Sequence, residues 1–216
     1  MNIILFGPPG AGKGTQADYL VEHYNLIKIS TGDLLRNEIN KNSFLGKDIK
    51  SVIDKGMFVS DDIVNNLINR IISKKENISK MIFDGYPRNI EQANFLDTII
   101  KKNNQKISCV LNINVDQEVI IKRITGRQIC SKCGSIFNKF YKPANISSHR
   151  CEEKYLKIRS DDTESTIIKR YKTYEKITFP IIKHYQKQNL LIDINGMSEI
   201  SKINEEISGL IKGLYA

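Results

Sequence analysis

Apolar residues follow two rhythms along this chain. Short apolar runs rich in Ile occur at 2–6, 26–30, 80–85, 107–115 and 190–194. Such short apolar runs are what strands buried on both faces require. Between them the apolar positions recur every three or four residues, as in Ala17, Leu20, Val21 and Tyr24. Ile63, Val64, Leu67, Ile68, Ile71 and Ile72 form one helical stripe behind Ser60, which is placed to cap it. Further helices are predicted from Thr31, with Thr31 or Asp33 near the cap, and over 89–102 and 116–127. Another covers 162–188 with a kink near Pro180, and the tail is helical. Gly46 and Gly56 punctuate two short helical pieces. Alternating strands and helices imply an α/β fold, an open parallel sheet of about five strands with helices on both faces. The rhythm fails between Gly126 and Asp162, which marks an inserted lobe.

Chemistry enters at the first junction. Gly7 to Thr15 reads GPPGAGKGT, between a strand and a helix. The N–H groups of such a glycine turn point inward and bind phosphate oxygens, helped by the positive end of the following helix. Lys13 is in register to reach the phosphates, but the hydroxyl that usually follows the Lys comes one place late, at Thr15. At 83–92, FDGYPRNIEQ ends a strand in Asp84 and places Arg88 and Gln92 one helical turn apart. Arg123 and Arg127 are four apart, which puts both on one face of the helix predicted there. Arg159 and Arg170 stand at the far hinge of the lobe.

The late Thr is the form found in nucleoside monophosphate kinases, and the chain from residue 2 to about 200 resembles the adenylate kinase family. The segment STGDLLR at 30–36 resembles that family's AMP pocket, and FDGYPR its strand-end signature. The resemblance implies a P-loop NTPase-type sheet that transfers a phosphoryl group from Mg·ATP to AMP. It implies a core of 1–29, 60–125 and 163–216, an AMP-binding segment at 30–59 and a lid at 126–162. By the same resemblance, Gly10, Ala11, Gly12, Lys13, Gly14, Thr15, Arg127, Ile136, Phe137 and Ser198 face ATP. Thr31, Arg36, Met57, Phe58, Val59, Gly85, Tyr86, Pro87, Arg88, Gln92, Arg159 and Arg170 face AMP. Lys13, Arg88, Arg123, Arg159 and Arg170 would stabilise the phosphoryl in flight, and Asp84 would hold Mg²⁺ through water. The chemistry would need no protein nucleophile, because positioning and charge do most of it. A lobe this long argues against a uridylate/cytidylate kinase; whether the donor is ATP or GTP stays open.

Four Cys occur, at 109, 130, 133 and 151. Cys109 lies in an apolar run and reads as packing. Cys130, Cys133 and Cys151 resemble the zinc-binding lids of bacterial adenylate kinases, with a fourth ligand still to be supplied. Lys154 stands where that family has Cys or Asp, so Glu153 is favoured, with Glu152 and His149 as alternatives. Loss of the metal and a redox Cys pair are the rival readings; a redox pair normally opens a helix after a first strand.

The formal charge is +9 and the pI about 9.3, so a nucleic-acid binder has to be weighed. No run of five Lys/Arg occurs and Trp is absent; a small polyphosphate on converging Arg residues fits the charge better. A P-loop switch protein would give no reason for a second, Arg-lined pocket. No apolar run approaches the roughly 18 residues of a membrane helix. MNIILF is too short for a secretory core. The expectation is a cytoplasmic protein without membrane or nucleic-acid partners and, by resemblance, a monomer.

Overall fold

A computed structural model of the chain describes every residue except 42, 56, 58, 146, 148 and 216. Its centre is one parallel sheet of β1 (Ile3–Phe6), β2 (Ile27–Ser30), β3 (Met81–Asp84), β4 (Cys109–Asn114) and β8 (Leu191–Asn195), in the order β2-β3-β1-β4-β8. The strands alternate between two apolar layers. Ile4, Phe6, Met81, Phe83 and Val110 face one side, against α2 (Thr31–Asn40), α3 (Phe44–Asp54), α4 (Asp61–Ile72), α5 (Ile90–Lys102) and α8 (Phe179–Gln186). Ile3, Leu5, Ile82, Leu111 and Ile113 face the other, against α1 (Lys13–Tyr24) and α9 (Ile200–Tyr215). Burial on both faces explains why the strands read as unbroken apolar runs rather than alternating ones. The same alternation aims Asp84, two residues after Ile82, at the face that carries α1.

The helical stripe of α4 packs as expected. Val64, Ile68 and Ile72 are buried, and Ile63, Leu67 and Ile71 pack at their edge. Full burial of one such side chain contributes about 1.5–3 kcal/mol. Ser60 precedes the helix without a side-chain cap bond. Ser30, rather than Thr31 or Asp33, caps α2, its hydroxyl accepting from the Asp33 N–H. Gly46 is inside α3, not at a break, because a Cβ there would lie 2.5 Å from the Glu38 carbonyl oxygen of α2. Gly56 lies outside the described residues.

The lobe differs from expectation. α6 (Gln117–Thr125) stops before Arg127, which opens β5 (Arg127–Cys130). Arg123 and Arg127 therefore do not share a helical face; Gly126 ends the helix and the chain turns into a strand. β5 pairs antiparallel with β6 (Ile136–Asn138) and β7 (Leu156–Lys157) in a small separate sheet. The predicted kink at Pro180 is instead a π-helical turn, Tyr174–Thr178, between α7 (Glu164–Thr173) and α8. Pro180 follows it in the first turn of α8. Among the described residues, no helix is long and apolar enough to cross a membrane.

Candidate active site

A cavity of about 750 Å³ opens beyond the carboxyl ends of β1, β3 and β4. This is where the crevice of an open parallel sheet forms. Its floor is the glycine turn between β1 and α1. Gly10 has φ +83°, and a Cβ there would meet Ile124 at 2.7 Å. Gly12 has φ +100° with open space around it, so backbone conformation alone requires glycine there. A Cβ at Gly14 would stand 3.6 Å from Asp84 Oδ2 and 3.8 Å from Ile136, so a longer side chain would enter the cavity. Thr15, in the first turn of α1, lines it.

Lys13 lies against its own loop, its Nζ donating to the carbonyls of Gly7 at 2.7 Å and Pro8 at 2.9 Å. Burial pushes its pKa down to about 8; Arg88, Arg170 and Arg127 push the same way, and Asp84 opposes them. Arg88 and Arg159 are pushed down to about 10, first by burial and then by neighbouring guanidinium groups. The cavity therefore gathers positive charge that its own acids do not offset. It is built to take an anion with several charges.

The walls come from distant parts of the chain. Arg36 crosses over Gly32, where a Cβ would be 2.9 Å from its guanidinium, and pairs with Asp33 at 2.6 Å. Thr31 donates to the Gly85 carbonyl at 2.7 Å, and Arg88 Nε donates to the same carbonyl at 2.8 Å. Arg123 spans the Ala11 carbonyl at 3.3 Å and the Gly196 carbonyl at 2.8 Å, linking the glycine turn to the end of β8. Arg127 grips the fully buried carboxylate of Asp162 with two nitrogens, and Arg170 bonds Asp161 at 3.0 Å. Arg159 Nε is buried with no hydrogen-bond partner among the described residues. Gly85, Pro87, Ile136, Phe137, Ser198 and, from the π-helical turn, Thr178 also line it.

Other expected contacts lie elsewhere. Thr31, Met57, Val59, Tyr86 and Gln92 do not line this cavity, and Phe58 lies outside the described residues. Tyr86 is in the core, its hydroxyl bonded to Asn65 at 2.6 Å. Gln92 is engaged on both ends: its Oε1 accepts from the Arg88 N–H at 2.8 Å, and its Nε2 donates to Asp61 at 2.6 Å. Asp61 was not among the expected residues. Its only sequence signal was an acid in the first turn of a helix, which many helices have.

A second cluster sits in the lobe. Ligand atoms of Cys130, Cys133, His149 and Cys151 all lie within 4.8 Å of one another. Three thiols and an imidazole are a tetrahedral zinc donor set. The His149 ring packs edge-on against Phe137, and its Nε2 is buried with no hydrogen-bond partner among the described residues, as a ligand nitrogen would be. The fourth member of the cluster is thus His149, and the favoured Glu153 is not part of it. After Cys151 the chain enters a short turn towards β7 that leaves Glu153 exposed, and Glu152 pairs with Lys154 at 2.8 Å. Cys109 is buried packing, as expected.

Comparison with known proteins agrees with this architecture. The family model described as adenylate kinase matches residues 5–190. The chain is similar to the adenylate kinase of Pelagibacter ubique (strain HTCC1062), 43% identical over 212 residues that cover 98% of this chain and all of that one. It is 42% identical over 213 residues to the adenylate kinase of Methanothrix thermoacetophila, with 98% of each chain covered. It is 37% identical over 214 residues to that of Petrotoga mobilis, again with 98% of each covered. The chain belongs to the adenylate kinase family.

Proposed function

We propose that this chain carries out its family's reaction, the reversible transfer of a phosphoryl group between Mg·ATP and AMP to give two ADP, in the cavity above the glycine turn. The observation that carries this reading is the convergence of Lys13, Arg88, Arg159 and Arg170 on one cavity bounded by two separate anion grips. One grip is the turn Gly10–Thr15 with Arg123 and Arg127, and it suits the donor's polyphosphate. The other is Arg36 and Arg88 beside Gly85 and Pro87, and it suits the acceptor's single phosphate. Between them Lys13, Arg159 and Arg170 bind the equatorial oxygens of the phosphoryl in flight. The acceptor phosphate attacks directly, so no side chain forms a covalent bond.

Ile136, Phe137 and Ser198 present backbone to the donor's base. Thr31, Met57, Val59 and Gln92 surround the acceptor's base once segment 30–59 has moved over it. Gln92 then exchanges its Asp61 bond for a bond to the base. Segment 126–162 closes over the donor and excludes water, which would otherwise take the phosphoryl. Asp84 would hold Mg²⁺ through water, and the ion would supply neutralisation of the donor's phosphate charge. Cys130, Cys133, His149 and Cys151 would hold a structural Zn²⁺, which would fix the small sheet away from the reaction. The protein works as a cytoplasmic monomer and takes no nucleic acid or membrane as partner.

The test is product formation from Mg·ATP with AMP, CMP, UMP, GMP or dTMP in parallel, beside ATP alone. Two ADP per ATP consumed, with AMP only, is expected. Turnover with CMP or UMP instead overturns the acceptor assignment. Equal hydrolysis in every vessel overturns the reaction.

A further inference from the structure

Threonines within α-helices usually bond the carbonyl one turn back. Thr98, Thr125 and Thr173 here do so, to Asn94, Ile121 and Lys169. Thr178 does not. It ends the π-helical turn, is 6% exposed, and donates across 90 residues to the Arg88 carbonyl at 2.8 Å. The wider turn changes the register of the helix by one residue, and so brings a hydroxyl at this position onto the Arg88 loop. The Arg88 peptide is thereby held from both sides: its N–H by Gln92 of α5 and its carbonyl by Thr178.

The helix that supplies Thr178 also carries Arg170 two turns earlier. Arg88 and Arg170 are like charges that face one cavity and repel each other. Nothing in that repulsion keeps them at a spacing useful to a single phosphoryl group. A bond from the Arg170 helix to the Arg88 main chain does. We propose that Thr178 is a positioning residue, set into place by the π-helical turn, that fixes the separation of Arg88 and Arg170 before substrate arrives. The proposal rests on the phosphoryl-transfer reading above. It predicts that Thr178 acts on the chemical step through Arg88, leaving the glycine turn untouched.

The experiment compares steady-state kinetics of the wild type, Thr178→Val, Thr178→Ser and Arg88→Lys, and of Thr178→Val combined with Arg88→Lys. Valine keeps the shape and removes the donor; serine restores the donor. Thr178→Val should lower kcat about ten-fold, the scale of a small misplacement of a catalytic group, with KM for ATP within about two-fold. Thr178→Ser should return to within about two-fold of wild type, and on the Arg88→Lys background the valine change should cost little more. A Thr178→Val enzyme within about two-fold of wild type, a serine variant no better than the valine one, or the full loss repeated on Arg88→Lys overturns the proposal. If the melting temperature of Thr178→Val falls sharply, the serine variant and the double variant carry the decision. A wild type that does not phosphorylate AMP refutes the functional reading instead, so the two failures are distinct.

Discussion

Nucleotide binding should weaken with pH in a way set by Lys13. Its ammonium is enclosed and ringed by guanidinium groups, which brings its pKa to about 8 from an ordinary 10.5. A polyphosphate seated on the glycine turn places negative charge against Nζ and restores the proton. Binding above pH 8 therefore takes up a proton, and the dissociation constant for ATP should rise about ten-fold by pH 9 relative to pH 7.5. Calorimetric titration at pH 8.5 in two buffers of different ionisation enthalpy should show roughly three quarters of a proton taken up per ATP bound. Lys13→Met should bind more weakly but lose this dependence. Arg88 and Arg159, at about 10, begin to add to the rise only towards pH 9.5. A wild-type dissociation constant that stays flat from pH 7.5 to 9.5 would refute the electrostatic account of Lys13. So would an unchanged slope in Lys13→Met.

Other outcomes follow from the same geometry. Without nucleotide, the unfolded chain binds more protons at Lys13 than the folded one between pH 8 and 10.5, so stability contributed by this residue rises with pH across that window; denaturant titrations of wild type and Lys13→Met at pH 7.5 and 9.5 measure it. His149→Ala should lose bound zinc during dialysis, whereas Glu153→Ala should retain about one equivalent by elemental analysis. Gly10→Ala should both destabilise the fold and abolish transfer, since its backbone conformation and its contact with Ile124 each reject a Cβ; chemical denaturation and initial rates check it. Ile68→Ala, at a fully buried position in α4, should cost about 2–5 kcal/mol by denaturant titration with little change in KM.

What could be read in the sequence was what is local. Ile3–Phe6 followed by the glycine turn and α1 is a contiguous unit, and its spacing fixes where Lys13 stands. The stripe on α4 is likewise a local period. The small sheet of the lobe escaped because its strands are two to four residues long, too short for any period to show. Arg127 was misplaced because nothing before Gly126 distinguishes the end of α6 from another turn. The fourth donor of the cysteine cluster depends on how the loop before Cys151 folds back onto Phe137, which spacing alone does not encode. Gln92 does meet Arg88, but through the Arg88 N–H ahead of α5 rather than across a helical turn, and its other partner Asp61 lies 31 residues away on another helix. The π-helical turn has no composition of its own; Pro180, the visible signal, sits just past it.

The strand order also governs how the chain is made. β1 is synthesised first, yet its neighbours come from residues 81–84 and 109–114, and the far edge of the sheet from 191–195. An emerging chain must keep an Ile-rich strand from misassociating until about half of the protein has left the ribosome. Pairings this distant in sequence slow folding. Gly7 packs against Ile113 of β4 and Gly10 against Ile124 of α6, so the glycine turn takes its final packing only after these have been made. Nucleotide therefore selects finished molecules, and it stabilises only those whose sheet is already assembled.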